Sequence, residues 1–213
     1  MATNGRDVRQ EISNMSGCFR RFTLHRLVTT AAFLAALGAI VPLLAAGGFA
    51  KAPKLGEKAP PFSLQDLDGH PVTLAGEVAR GPVVLVLLRG WPGYQCPFCT
   101  RQFGDFLGHA QAFEATGARV VWVYPGPSES VQQHAREFLA SRALPPSFRL
   151  TTDPDYVFTN AYGLRWDAPQ ETAYPATFVV DRSGIVRYAQ ISIGHDGRAP
   201  AADVLKALGQ LPR

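Results

Sequence analysis

The sequence predicts an α/β fold: a mixed central β-sheet with helices on both faces and an N-terminal β-hairpin. Three observations predict it. The runs PVVLVLL (82–88) and RVVWVY (119–124) are continuous, apolar and β-branched, which is how a strand reads when it is buried on both sides in a helix-covered sheet. Between and after them lie segments whose apolar residues recur at helical spacing, so strands and helices alternate. Near the end, ATFVV (176–180) and the stretch 185–193 flank the turn Asp181-Arg182-Ser183-Gly184, a hairpin that makes the sheet mixed.

The elements follow in order. PFSLQDLDGHPVTL (61–74) reads as a small hairpin turning at Asp68-Gly69, because Asp-Gly suits a tight turn between alternating apolar residues. Strand 82–88 comes next. From Pro97 to about Ala115, Phe98, Phe103, Phe106, Leu107, Ala110 and Phe113 mark one helix, which Gly117 ends. After strand 119–124, Ser128 is the expected N-cap, with Glu129 in the first turn, of the helix VQQHAREFLASR, and Pro145-Pro146 breaks it. Phe148–Leu150 reads as a short strand, Asp153–Tyr162 as a short helix closed by Gly163, and Ala201–Leu208 as a closing helix.

The chain has 213 residues, 46% of them hydrophobic, 10% aromatic and 18% charged. That is a globular composition with material for a sizeable core. The net charge of +4 is uneven: residues 1–50 carry five arginines against Asp7 and Glu11, and the remainder carries 16 Lys/Arg against 15 Asp/Glu. The globular part therefore has no cationic excess for nucleic acid, and no nucleic-acid partner is expected.

Residues 1–50 read as an address. No charged residue occurs from Leu27 to Ala50, the flank FRRFTLHR is positive, and Gly48-Phe49-Ala50 offers small residues at a cleavage site. This is the layout of a secretory signal peptide. Met15 is an alternative start, and Arg20-Arg21 is a weak twin-arginine pattern. The same uncharged stretch is long enough for an uncleaved anchor, since a span needs about 20 residues. Either way the domain is expected outside the cytoplasm, periplasmic or secreted, with the membrane touched only through this segment. Residues 51–60, rich in Lys, Pro and Gly, read as a linker, and 61–213 as one domain.

The chemistry concentrates in RGWPGYQCPFCTRQ (89–102). Of three cysteines, Cys18 lies in the leader and Cys96 and Cys99 lie here. A pair so close in sequence closes too small a loop to stabilise a fold, which points to reactivity. A cysteine entering a helix sits among unpaired N–H groups and the positive end of the dipole, which lowers its pKa. The second cysteine lies on the same helical face, and Pro97 is tolerated in the first turn. No second Cys-x-x-Cys and no His-x-x-x-His accompanies the pair, so structural zinc lacks its four ligands. No metal or cofactor is expected.

The stretches PVVLVLLRGWPGYQCPFCTRQ and YPATFVVDRSGIVRY resemble the thioredoxin superfamily, and within it the redoxin or peroxiredoxin-like (AhpC/TSA) branch. The resemblance covers roughly residues 55–210. It implies a thioredoxin-like fold and thiol redox catalysis through Cys96 and Cys99. It also implies a cis peptide at Tyr174–Pro175 beside the sulfurs. Read against the peroxidase pattern of the branch, Pro92 stands seven residues before Cys99, and Cys96 occupies the place of a Thr or Ser. That departure matters because a thiol is a weaker hydrogen-bond donor than a hydroxyl. The peroxidase also implies an arginine beside the thiolate, for which Arg89 is the first candidate, with Arg101 and Arg165 behind it.

Two mechanisms stay open on these residues. A peroxidase oxidises one sulfur to sulfenic acid, which condenses with the other thiol. A thiol-disulfide oxidoreductase attacks a protein disulfide and resolves the mixed disulfide internally. Substrate is accordingly a hydroperoxide or a protein disulfide, and both require an electron donor such as a thioredoxin-like protein. A copper-binding domain pairing His195 with the cysteines is a third reading, since thiolates suit Cu(I). His109 and His134 read as helix-surface residues, Trp91, Tyr94 and Phe98 as a rim, and Trp122 and Trp166 as packing.

Overall fold

The computed structural model describes residues 51–212. The signal-peptide or anchor reading of residues 1–50 lies outside them. Among the described residues no helix is long and apolar enough to cross a membrane.

β1 (Ser63–Asp66) and β2 (Pro71–Thr73) form the expected hairpin, with Leu64 opposite Val72. Its turn is held by the Asp66 carboxylate, which accepts from the amides of Asp68 and His70. A helix the sequence reading passed over follows, α1 (Leu74–Arg80), capped by Thr73, whose hydroxyl accepts from the Gly76 amide at 3.0 Å. β3 (Val83–Leu87) runs to the cysteine loop. The single helix expected over 97–115 is two, α2 (Pro97–Gly108) and α3 (Ala110–Ala115), which meet at His109 with φ −106° and ψ 15°. Gly108, poorly suited to a helix interior, sits where the first one stops. β4 (Arg119–Gly126), α4 (Val131–Leu139), β5 (Phe148–Pro154), α5 (Val157–Ala161), β6 (Ala176–Val180), β7 (Val186–Ile191) and α6 (Ala201–Gly209) complete the order.

Two boundaries differ from expectation for a reason in the side chains. Ser128 does not cap α4; its amide and hydroxyl bind Asp155, and Ser130 holds the cap position. β5 runs on through Thr151, Thr152 and Asp153, polar residues that hide a strand. It is kept extended by parallel pairing with β4, and the Thr151 hydroxyl donates to the Trp122 carbonyl at 2.9 Å.

The sheet has seven strands in the order β2-β1-β5-β4-β3-β6-β7. β3, β4 and β5 are parallel, whereas β1, β6 and β7 pair antiparallel. Successive side chains of a strand face opposite sides. Val84, Val86 and Leu88 therefore join Trp122 under Phe103, Phe106, Phe113 and Phe138. Val83, Leu85 and Leu87 pack on the other side with Phe158, Tyr162 and Phe178. Both layers are sealed, which is why β3 reads as an unbroken apolar run.

The stretch 51–60 is not a free linker. Gly56 and Ala59 donate to the carbonyls of Val186 and Gly184, the Val186 amide donates to Glu57, and Ala52 and Ala59 are buried. Its composition reads as a linker, but its backbone donors and small apolar side chains are used against the β6–β7 hairpin.

Candidate active site

The site lies where β3 ends. Arg89 follows the strand, and Gly90 turns the chain with φ +79°. Only glycine fits there, because a Cβ would stand 2.2 Å from the Pro125 carbonyl oxygen. The loop then crosses to α2 and is pinned at two points. Trp91 stacks on His134 with ring centroids 4.2 Å apart. The Gln95 side chain donates to the His134 carbonyl and accepts from the Tyr124 hydroxyl, both at 2.9 Å. Pro92 is half-buried in this loop.

Cys96 is the N-cap residue of α2, with Pro97 in the first turn, and Cys99 lies one turn on. Both are unbonded cysteines, each 2% exposed. The Arg89 amide donates to Cys99 Sγ at 3.4 Å. Arg198 Nη2 reaches Cys99 Sγ at 3.4 Å and Cys96 Sγ at 3.6 Å. The Nε and Nη1 atoms of Arg198 are buried without a hydrogen-bond partner among the described residues.

These surroundings divide the two thiols. Hydrogen bonding from Cys99, helped by the Arg198 guanidinium, outweighs burial and draws the Cys96 thiol down to about 5. Burial, together with its hydrogen bond to Cys96, pushes Cys99 well up despite Arg198. At neutral pH the pair is a Cys96 thiolate beside a Cys99 thiol, one nucleophile and one proton donor.

Arg89 is at the site in a different way from the one expected. Its guanidinium, 2% exposed, donates Nε to Glu171 Oε2 at 2.8 Å, Nη1 to the Tyr94 hydroxyl at 2.8 Å and Nη2 to the Gln170 carbonyl at 3.0 Å. With those donors engaged, only its backbone meets a sulfur. Arg101 lies over the Phe98 ring at 5.5 Å, and Arg165 over the Tyr156 ring at 4.1 Å while bonding the Trp166 carbonyl. Among the described residues the guanidinium hydrogen-bonded to the sulfurs is that of Arg198, which the sequence reading missed. It stands about a hundred residues on, in a loop with no motif, and its proximity is created by the fold.

Three other expectations are corrected or placed. No peptide bond among the described residues is cis, so Tyr174–Pro175 is trans. Trans is the intrinsic preference of an X-Pro bond. Here the chain on either side is tied in that form: the Tyr174 amide donates to Leu164, and the Pro175 carbonyl accepts from Ser192 at 2.8 Å. His195 turns to Glu171 at 2.8 Å. The candidate metal cluster among the described residues is Asp66, Asp68 and His70 at the hairpin turn, where the Asp66 carboxylate already organises the turn.

Comparison with known proteins decides the family. The family model for redoxins matches residues 54–207. The chain belongs to the redoxin family. A Mycobacterium tuberculosis protein named as a peroxiredoxin is 32% identical over 147 residues, covering 67% of this chain and 87% of the relative. Among solved structures, the peroxidoxin BcpB of the same organism matches with TM-score 0.61 at 22% identity, over 76% of this chain and 99% of that one. A Chlorobium tepidum protein named as a thiol:disulfide interchange protein of the DsbE kind matches with TM-score 0.55 at 26% identity, over 74% of this chain and 100% of that one. The redoxin thus has the thioredoxin-like fold and is a thiol-dependent oxidoreductase.

Proposed function

We propose that this redoxin is a thiol peroxidase that reduces hydroperoxides with Cys96 and Cys99. The observation that carries the proposal is a cysteine, Cys96, 2% exposed and in reach of the Arg198 guanidinium, which has two unpartnered buried donors. So enclosed a sulfur admits a small peroxide more readily than the disulfide of a folded protein. Buried polar atoms without partners call for an explanation, and a peroxide oxygen beside the sulfur supplies one.

The steps balance without a cofactor. The Cys96 thiolate attacks one peroxide oxygen, the O–O bond breaks, and the leaving alkoxide or hydroxide takes a proton. Arg198 stabilises the charge as it moves onto oxygen. Cys96 is now a sulfenic acid. Cys99 attacks it, a Cys96–Cys99 disulfide forms, and water leaves. Two electrons have passed from the pair to the peroxide, and a dithiol donor of the thioredoxin kind returns them. Cys96, rather than Cys99 as the peroxidase pattern of the sequence has it, attacks first. The peroxiredoxin relatives at 32% identity support the activity.

One observation favours a second reading, thiol-disulfide exchange: a low-pKa cysteine at a helix N-terminus, on a fold shared with the DsbE-like neighbour. Stopped-flow oxidation of the reduced protein separates the two. Peroxide oxidation far faster than that of a free thiol, with sulfenic acid trapped on Cys96 in the Cys99→Ser variant, is expected. Oxidation at the free-thiol rate, with Cys96 forming mixed disulfides with a test protein, would establish exchange instead.

Export is part of the proposal. Its support is the positive flank and uncharged stretch of residues 20–50. A fusion of residues 1–60 to a phosphatase that is active only outside the cytoplasm is expected to be active, and an inactive fusion would refute it.

A further inference from the structure

One carboxylate joins the two loops that hold the sulfurs. Glu171, its side chain 12% exposed, accepts from Arg89 Nε on Oε2 and pairs with His195 Nε2 on Oε1, each at 2.8 Å. Arg89 gives its amide to Cys99 Sγ. His195 stands three residues before Arg198, whose Nη2 meets both sulfurs. Burial opposes ionisation of Glu171, but the bonds from Arg89 and His195 outweigh it and hold the carboxyl below the usual range.

The rest of the Arg198 loop is pinned elsewhere. The Gly197 carbonyl accepts from Gln190 at 2.8 Å and from Ser192 at 2.9 Å, and the Ala199 carbonyl accepts from Gln102 at 3.1 Å. Gln102 itself lies on α2, beside Cys99, and also reaches Thr177. These bonds hold the backbone on either side of Arg198 to Gln190 of β7, to Ser192 and to α2. The Glu171–His195 pair ties the tip of the loop to the Arg89 end of β3.

We propose that Glu171 is a positioning residue: without touching a sulfur, it holds Arg198 against the cysteine pair by clamping His195 to Arg89. The inference rests on Cys96 and Cys99 being the reacting pair, and its readout is independent of the substrate they take. The groups facing that pair are Arg198 from the 192–200 loop, the amide of Arg89 from the end of β3, and Tyr124 from β4, whose ionisation is opposed by burial first and by the sulfurs after it.

The sign of one measurement separates positioning from bare electrostatics. Removing a nearby negative charge favours the thiolate and lowers the pH at which it forms. Releasing Arg198 does the opposite. The experiment follows ultraviolet thiolate absorbance against pH in the reduced full chain, for wild type, Glu171→Gln, Arg198→Met and the double variant. Glu171→Gln is expected to raise the first midpoint, so that the thiolate-to-thiol ratio at a given acidic pH falls about three- to tenfold. In the Arg198→Met background the same change is expected to have no upward effect.

A midpoint that is unchanged or lowered in Glu171→Gln overturns the proposal, whatever happens to thermal stability. So does an upward shift that persists without Arg198. If Glu171→Gln does not fold, His195→Gln, at a ring 43% exposed, cuts the loop arm alone. It must then raise the midpoint with Arg198 present and lose that part of the effect without it. Failure of the peroxidase assay leaves this titration standing, so the two conclusions fail separately.

Discussion

Cys96 is charged because of its immediate partners: the Cys99 hydrogen bond first, then the Arg198 guanidinium, against the cost of burial. At this scale the predictions concern single atoms. Alkylation of Cys96 is expected to follow a midpoint near 5 and to be flat through neutral pH, which a pH series with a small alkylating agent checks. Arg198→Met is expected to raise that midpoint and to slow peroxide oxidation by roughly tenfold or more, since charge-assisted bonds exceed neutral ones; stopped flow reads it. The same shift acts on stability. The folded thiol ionises more readily than the unfolded one, so the unfolded chain binds more protons between the two values. The Cys96 contribution is therefore full above the ordinary thiol pKa and is lost as pH falls towards 5. Urea unfolding of the reduced protein against Cys96→Ser is expected to show a difference that shrinks with acidity. Cys99, whose thiol form is favoured, contributes the opposite dependence at alkaline pH.

Between elements, the decisive piece is the turn from β3 to α2. Gly90→Ala would bring a Cβ to 2.2 Å from the Pro125 carbonyl in a left-handed backbone. It is expected to destabilise the fold by about 1–3 kcal/mol and to slow peroxide oxidation, because the Arg89 amide at Cys99 moves with the turn. A melting curve and stopped flow on the same sample check both. Phe106, fully buried between Phe113 and Trp122, anchors α2 to the sheet. Phe106→Ala is expected to cost about 3–5 kcal/mol, measured by urea unfolding. The strands β3 and β4 and the helix α2 were legible in the sequence because burial and helical periodicity leave apolar patterns. β5 was legible only over Phe148–Leu150, because its remainder, Thr151, Thr152 and Asp153, is polar, and α1 was not legible, because it is a short helix begun by a cap.

Across the whole molecule, the site is assembled from four separated stretches: the end of β3, the start of α2, the loop at 170–171 and the loop at 195–198. The sheet order brings them together, since β3 lies between β4 and β6, and the chain segments beside β6 and β7 fold back over the α2 N-terminus. Residues 51–60 close the far side of the hairpin β6–β7. By itself the sequence determined the α/β alternation and the placing of the cysteine pair, because each is written in local spacing: apolar runs, helical periodicity and Cys-x-x-Cys after a strand. The tertiary structure alone decided which arginine meets the sulfurs and how deeply the two thiols are buried. Those outcomes depend on burial and on distances between residues far apart in the chain, and no local spacing encodes either.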